Sequence, residues 1–234
     1  MALFYIVATP IGNLKDISCR ALEILKGADL ILAEDTKRTQ KLLNHFEIKT
    51  KTLSYHQHSK LKKISYILEL LKKGKNLVLV SDAGTPGISD PGNKLVKEVT
   101  ESLGDQVKII PLPGPSALIT AASVSGFAMD KFLFLGFPPT KRKRKKFFEE
   151  AILVRYPVIF YESPYRILKT LNELRELLAA RHLLLANIVV CRELTKKFET
   201  IYRGTVPEVI EKIGKEKFEQ NRIKGEFVVI LEGR

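Results

Sequence analysis

Through the first half of the chain, short apolar runs rich in β-branched and aromatic residues alternate with longer stretches whose apolar residues recur at three- and four-residue spacing. No other feature constrains the fold as tightly, because a strand followed by a crossover helix returns as a parallel neighbour. The spacing predicts strands at Leu3–Ala8, Leu30–Ala33, Thr52–Tyr55, Leu77–Ser81 and Val107–Ile110, and helices over Ser18–Lys26, Leu61–Lys73 and Gly92–Leu103. The segment from Ser125 to Lys131 then breaks a helical pattern of small residues, so the domain boundary is expected there, giving domains 1–125 and 126–234. In the second domain, strands are expected at Phe132–Phe137, Val158–Tyr161, Asn187–Arg192, Phe198–Arg203 and Phe227–Leu231. A short turn and one helix separate the last three, which implies antiparallel pairs in a mixed sheet. The expected fold class is therefore two-domain α/β: a parallel-sheet N-terminal domain and a mixed-sheet C-terminal one.

The loops carry the chemistry. Ser81-Asp82-Ala83-Gly84-Thr85-Pro86-Gly87-Ile88-Ser89-Asp90-Pro91-Gly92 begins at the carboxyl end of the fourth strand, the edge where open α/β sheets bind ligands. Gly87 to Lys94 nearly spells a nucleotide phosphate loop, but Asn93 intrudes, no Ser or Thr follows Lys94, and Asp82 and Asp90 would repel a triphosphate. A ligand with positive charge and ribose hydroxyls fits those carboxylates better. Ala8 to Leu14 and Pro111 to Ala117 form two more Gly/Pro-rich strand ends. Taken singly, each also reads as a tight connection or a helix start; three along one sheet edge point to a shared pocket. At a fourth strand end, Asp35 or Thr36 can cap the next helix, and Lys37 and Arg38 occupy its first turn, where the helix dipole disfavours cations and an anion would be welcome. Tyr161-Glu162-Ser163-Pro164-Tyr165-Arg166 repeats that arrangement in the second half.

Lys and Arg total 39 against 26 Asp and Glu, a net charge of +13 that favours a polyanionic partner. The run Lys141-Arg142-Lys143-Arg144-Lys145-Lys146 is either a solvated loop or a phosphate-binding patch. Charge alone does not choose between nucleic acid and an anionic lipid surface; with no Trp in the chain and its aromatics mostly in strand patterns, a nucleic acid would be held by cations rather than by base stacking. Cys19 and Cys191 are too few for a disulfide framework, which makes a reducing cytoplasm the default compartment. No apolar run reaches the ~18 residues of a spanning helix, so no membrane role is expected. His56 and His58 lie two apart with no further ligand beside them, and no metal site is expected. The usual hydrolase, zincin and NAD-binding motifs do not occur.

Together, Val7–Leu14, Ala33–Arg38, Ser81–Gly92, Pro111–Ala117, Phe160–Arg166 and Cys191-Arg192-Glu193-Leu194-Thr195-Lys196 resemble the bacterial ribosomal small-subunit RNA 2'-O-methyltransferases of the tetrapyrrole methylase superfamily. The resemblance runs from about residue 3 to Gly233. It implies a tetrapyrrole-methylase-like fold, S-adenosylmethionine as cofactor and the 2'-hydroxyl of a cytidine in the decoding region of small-subunit ribosomal RNA as acceptor. It likewise implies the RNA or the assembled subunit as substrate and a homodimeric protein. Position by position, it assigns cofactor contacts to Pro10, Ile11, Gly12, Asp82, Ala83, Gly84, Thr85, Ser116 and Ala117. Glu162, Leu194 and Gly225 follow from the superfamily's cofactor lying between two domains.

The first loop lacks the G-x-G-x-G-D form of porphyrin-modifying relatives, which argues for the RNA branch. The superfamily branch also carries a helical segment after the Lys224–Gly233 stretch, whereas here the chain stops at Arg234. The expectation is a truncated or a naturally short form that relies more on Lys141 to Lys146. RNA contacts are expected from Lys37, Arg38, that run, Arg166 and Arg192. Glu34, Asp35 and Glu162 are the carboxylates expected to take or orient the ribose proton, since a ribose hydroxyl is a weak acid. A tetrapyrrole methyltransferase of the same fold, a non-catalytic RNA-binding assembly factor, and a basic α/β protein with another small ligand remain open as alternatives.

Overall fold

A computed structural model of the chain describes residues 1–56, 61–90, 92–183, 185–220 and 222–233, with side chains left aside for 217–220. His58 and Pro91, both singled out above, lie outside these described residues. The chain divides into two compact units, Met1–Ser116 and Ala117–Arg234.

The first unit is a five-stranded parallel sheet. Its elements in chain order are β1 (Ala2–Val7), α1 (Cys19–Gly27), β2 (Leu30–Ala33), α2 (Thr36–His45), β3 (Thr52–Ser54), α3 (Leu61–Lys72), β4 (Leu77–Val80), α4 (Gly92–Leu103) and β5 (Val107–Leu112). The strand order is β3-β2-β4-β1-β5. From β1 the chain steps one way to β2 and β3, and from β4 it steps the other way to β5. Right-handed crossovers in opposite directions put the connecting helices on opposite faces. Accordingly Ala21, Leu25, Leu42 and Leu43 of α1 and α2 pack on Ile31, Val78 and Val80, while Ile64, Ile67, Leu71, Leu95 and Val99 of α3 and α4 pack with Phe4, Leu32 and Leu79. A sheet covered on both sides needs strands apolar at every position, and β4 is buried along its whole length. The point where the strand order reverses falls between β1 and β4.

The second unit follows the order α5 (Ala117–Ser123), β6 (Leu133–Phe134), α6 (Arg144–Leu153), β7 (Val158–Glu162), α7 (Ile167–Ala179), β8 (Asn187–Arg192), β9 (Thr200–Thr205), α8 (Val206–Gln220) and β10 (Phe227–Leu231). Its sheet runs β6-β7-β10-β8-β9, with β6 parallel to β7 and the other pairs antiparallel. Phe148, Ile152, Leu171, Leu174, Leu178, Val209 and Ile213 close one face over Phe160, Val190 and Val229. Helix α5 packs on β10 and β7. That packing puts α5 with the second unit rather than the first, so the division falls at its start and not at the 125/126 break read from the sequence. The expected strand Phe132–Phe137 is reduced to two residues, because Gly136 turns at φ +67° and two prolines follow.

Candidate active site

The first unit builds its site at the carboxyl edge of the sheet, on the switch point. The loop after β1 and the loop after β4 are stitched by reciprocal backbone bonds, Thr9 N to Gly84 O and Gly84 N to Thr9 O, both 2.9 Å. The buried Thr9 hydroxyl donates to Ser81 O at 3.2 Å. Gly84 sits at φ +79°, where a side chain would be strained, and a Cβ there would lie 3.5 Å from Ile11 Cγ2. The loop after β5 joins them: Thr85 Oγ1 donates to Pro115 O at 3.2 Å, and a Cβ on Gly114 would stand 2.9 Å from Ala8 Cβ, too close to accept without a backbone shift. The fourth strand end is tied in through Asp82, whose carboxylate accepts the Asp35 amide at 3.0 Å and Arg38 at 3.4 Å. Pro10, Ile11, Gly12, Asp82, Ala83, Gly84, Thr85 and Ser116 thus belong to loops that interlock along one edge.

The three carboxylates considered for proton transfer have different surroundings. Asp35 is the N-cap of α2 and accepts from Lys37 N and Arg38 N at 2.8 and 3.3 Å. Its lone pairs serve the orphan amides of the first turn, so the bland capping reading describes it. Glu34 is half-buried at the same edge, against Tyr55, Leu79, Val80, Ser81, Pro86 and Asp90. Burial raises its pKa, the charges of Asp82 and Asp90 raise it further, and Arg38 opposes them. Asp90 also shapes its loop, taking the amides of Gly87 and Gly92 at 2.6 and 2.8 Å.

Glu162 ends β7 in the second unit, and its side chain is fully buried. Arg166 reaches its Oε1 at 2.8 Å and Arg144 its Oε2 at 3.6 Å; Thr170 Oγ1 donates to Oε2 at 2.5 Å. A carboxylate neutralised by two guanidiniums and closed off from solvent has no free lone pair for a substrate proton, so the structure makes Glu162 an anchor rather than a base. The same network corrects two arginines. Arg144 is 6% exposed and also bonds Glu173 at 2.7 Å and Thr170, while Arg166 is spent on Glu162, Ser163 Oγ and Pro138 O. Arg192 is likewise buried, paired with Glu216 and bonded to Lys224 O at 2.8 Å. None of the three offers a free guanidinium to phosphate. The partners of Arg144, Thr170 and Glu173, are residues that sequence reasoning misses, because nothing in the sequence sets them apart from the other polar positions of α7.

Strand register brings the remaining second-unit candidates together. Phe227 pairs with both Glu162 and Arg192, so Gly225 just before β10 and Leu194 just after β8 share one sheet edge with the end of β7. Gly225 lies at φ +102°, and a Cβ there would meet the Glu193 side chain at 2.5 Å.

Of the basic run, Lys141, Arg142, Lys143, Lys145 and Lys146 are exposed. Lys143 takes a left-handed conformation at φ 66° and caps α6 without a side-chain bond. Lys37 is exposed, and Arg38 holds Asp82 only through a contact whose partners are 59% and 30% exposed. The sequence reading of the aromatics needs correcting: Tyr165 is 93% exposed, Phe198 69% and Phe137 54%, so stacking surfaces exist where none was expected. They sit just beyond strand ends, where a strand pattern hides them.

The comparisons with known proteins agree with this edge-of-sheet architecture. The family model for tetrapyrrole (corrin/porphyrin) methylases matches residues 3–210, and the chain belongs to that family. A cobalt precorrin-4 methyltransferase of cobalamin biosynthesis shares the fold, with a TM-score of 0.67 at 17% identity over 99% of this chain and 94% of that one. Within the family, the chain is 44% identical over 230 residues to the ribosomal RNA small subunit methyltransferase I of Halalkalibacterium halodurans, covering 98% of this chain and 75% of the relative. It is also 44% identical to the protein of the same name from Thermotoga maritima, covering 100% of both. The protein is a methyltransferase that uses S-adenosylmethionine. The first-unit edge suits that cofactor: Glu34, Asp82 and Asp90 complement a cationic, hydroxyl-bearing ligand, and the glycines leave the backbone open to close approach. No helix among the described residues is long and apolar enough to cross a membrane.

Proposed function

We propose that this methyltransferase modifies the 2'-hydroxyl of a cytidine ribose in the decoding region of small-subunit ribosomal RNA. The observation that carries the reading is identity of about 44% along essentially the whole chain to proteins named ribosomal RNA small subunit methyltransferase I. The net charge of +13 and the exposed Lys141, Arg142, Lys143, Lys145 and Lys146 support a polyanionic acceptor. Lys37 and Arg38 join them as phosphate contacts in this reading.

The cofactor supplies an activated methyl group on a cationic sulfur, open to in-line displacement by an oxygen. The chain's own work is to bind, align and manage one proton. Pro10, Ile11, Gly12, Asp82, Ala83, Gly84, Thr85 and Ser116 would hold the cofactor. Rigid loops suit this task, because alignment within about 3 to 3.5 Å supplies much of the rate when no charge has to be created. Of the three carboxylates, Glu34 accepts the ribose proton: it is half-buried with a raised pKa, and it alone is consumed neither by a cap nor by an arginine pair. The same reading makes the protein a cytoplasmic homodimer, which sedimentation of the purified chain checks.

The test is transfer of labelled methyl from S-adenosylmethionine to unmethylated small subunits and to the bare RNA, with the label located by nuclease digestion and mass spectrometry. Label on a cytidine 2'-oxygen is expected. Label on a base, on another nucleoside or only on a porphyrinoid overturns the reading.

A further inference from the structure

We propose that the second unit carries a seat for one nucleotide of the substrate RNA, formed by Tyr165 with Arg222 and Lys224. The inference rests on the RNA reading above. Pro164, Tyr165, Leu168, Arg222, Ile223, Lys224 and Gly225 surround a cavity of about 370 Å³ at the start of α7. That lies in the range of small-ligand pockets and matches one nucleotide rather than a long peptide or a folded partner.

The lining sorts into parts that match a nucleotide. Pro164, Leu168 and Ile223 supply an apolar floor. Tyr165 adds an aromatic face that is 93% exposed, a state in which the ring gives up nearly all the burial a core aromatic would gain. Base stacking recovers that area and is indifferent to sequence, as every base has a π-face. Arg222 and Lys224 are both exposed, and among the described residues neither side chain is held by a carboxylate. This contrasts with Arg144, Arg166 and Arg192, which are all paired inward, and leaves two cations available to a phosphate beside a stacking ring.

The backbone presenting the seat is stiff. Arg192 Nε fixes Lys224 O at 2.8 Å. Gly225 at φ +102° turns the chain directly into β10. On the other wall, Ser163 N is held by Glu162 Oε1 at 2.7 Å, and Arg166 spans Glu162, Ser163 Oγ and Pro138 O. The Glu162–Arg166 pair thereby acts as a positioning device for Tyr165, sparing a bound nucleotide the cost of ordering its own loop.

The test uses the full chain with unmethylated small-subunit ribosomal RNA transcribed in vitro, reading RNA affinity by filter binding and S-adenosylhomocysteine affinity by calorimetry. Tyr165→Ala is expected to weaken RNA binding by about tenfold, the scale of one lost stack, while Tyr165→Phe binds like wild type. The Arg222→Gln, Lys224→Gln double variant is expected to reduce the slope of log affinity against log salt by about 1, as for one or two lost phosphate contacts on a single strand. Homocysteine-product affinity and melting temperature stay at wild-type values in all three, since the altered side chains are exposed. Tyr165→Ala with wild-type RNA affinity, in an enzyme that still binds and methylates the RNA, overturns the seat and leaves the RNA reading standing. A tenfold loss of S-adenosylhomocysteine affinity in Tyr165→Ala also overturns it, by assigning the cavity to the cofactor. Wild-type protein that neither binds nor methylates the RNA removes both the seat and the reading on which it rests.

Discussion

Glu34 and Glu162 show how two carboxylates at strand ends acquire different roles from their neighbours. The pKa of Glu34 is raised by burial and by the acidic charges of Asp82 and Asp90, so its proton stays on above the usual carboxylate range. Single-turnover methyl transfer should therefore rise with pH as Glu34 ionises, and Glu34→Gln should lose both that limb and most of the rate, about 10²-fold or more for a general base. A pH–rate series from about pH 4 to pH 8 checks it. The stability linkage has the opposite sense: a carboxyl raised in the folded state stabilises below its unfolded pKa, and that contribution is lost as pH rises through the folded value. Denaturation midpoints of Glu34→Gln should accordingly fall less than those of wild type over that window. Glu162 instead balances two arginines away from solvent. Arg144→Met leaves Arg166 in place at 2.8 Å, so a loss near 3 kcal/mol is expected, toward the low end for breaking a buried pair. Urea denaturation measures that loss, and RNA affinity of the folded variant should be unchanged, because Arg144 never faced the phosphate.

At the scale of elements, loops and helix starts carry the function while strands carry the core. Replacing Lys141, Arg142, Lys143, Lys145 and Lys146 with glutamine should flatten the salt dependence of RNA binding by roughly 2 to 3 in the log–log slope, at about 0.7 per phosphate contact. Filter binding at several salt concentrations decides it, and an unchanged slope would make the run a solvated loop. Gly114→Val should weaken S-adenosylhomocysteine binding by about tenfold or more, because its Cβ would stand 2.9 Å from Ala8 Cβ and overpacking costs about 1 to 3 kcal/mol; calorimetry reads it directly. The loops were legible because Gly, Pro and Asp punctuate a chain locally, and the parallel strands because a doubly covered strand is apolar throughout. Helix α5 was misassigned because small residues such as Ala121 and Ala122 do not say which sheet they will meet.

On the scale of the whole molecule, the candidate edge depends on the strand order β3-β2-β4-β1-β5, which sets the loops after β1 and β4 side by side at the reversal point. Ligand binding there should be felt globally. S-adenosylhomocysteine at about 100 times its Kd should add about 2.7 kcal/mol and raise the melting temperature by about 5 to 10 °C for a chain of this size. Absence of any shift would contradict the cofactor assignment. The sequence by itself determined the two α/β sheets, the glycine- and proline-rich loops at the sheet edge and the cationic character, because hydrophobic period, turn residues and net charge are local or additive properties. Only the tertiary structure decided which cations face inward, that Asp35 caps a helix and Glu162 meets two arginines while Glu34 does neither, and that Tyr165 stands in solvent beside Arg222 and Lys224. Those outcomes depend on which distant side chains meet: Arg144 with Glu173, Arg192 with Glu216 and Glu34 with Asp82 are joined by packing across elements, and no spacing along the chain encodes such a meeting.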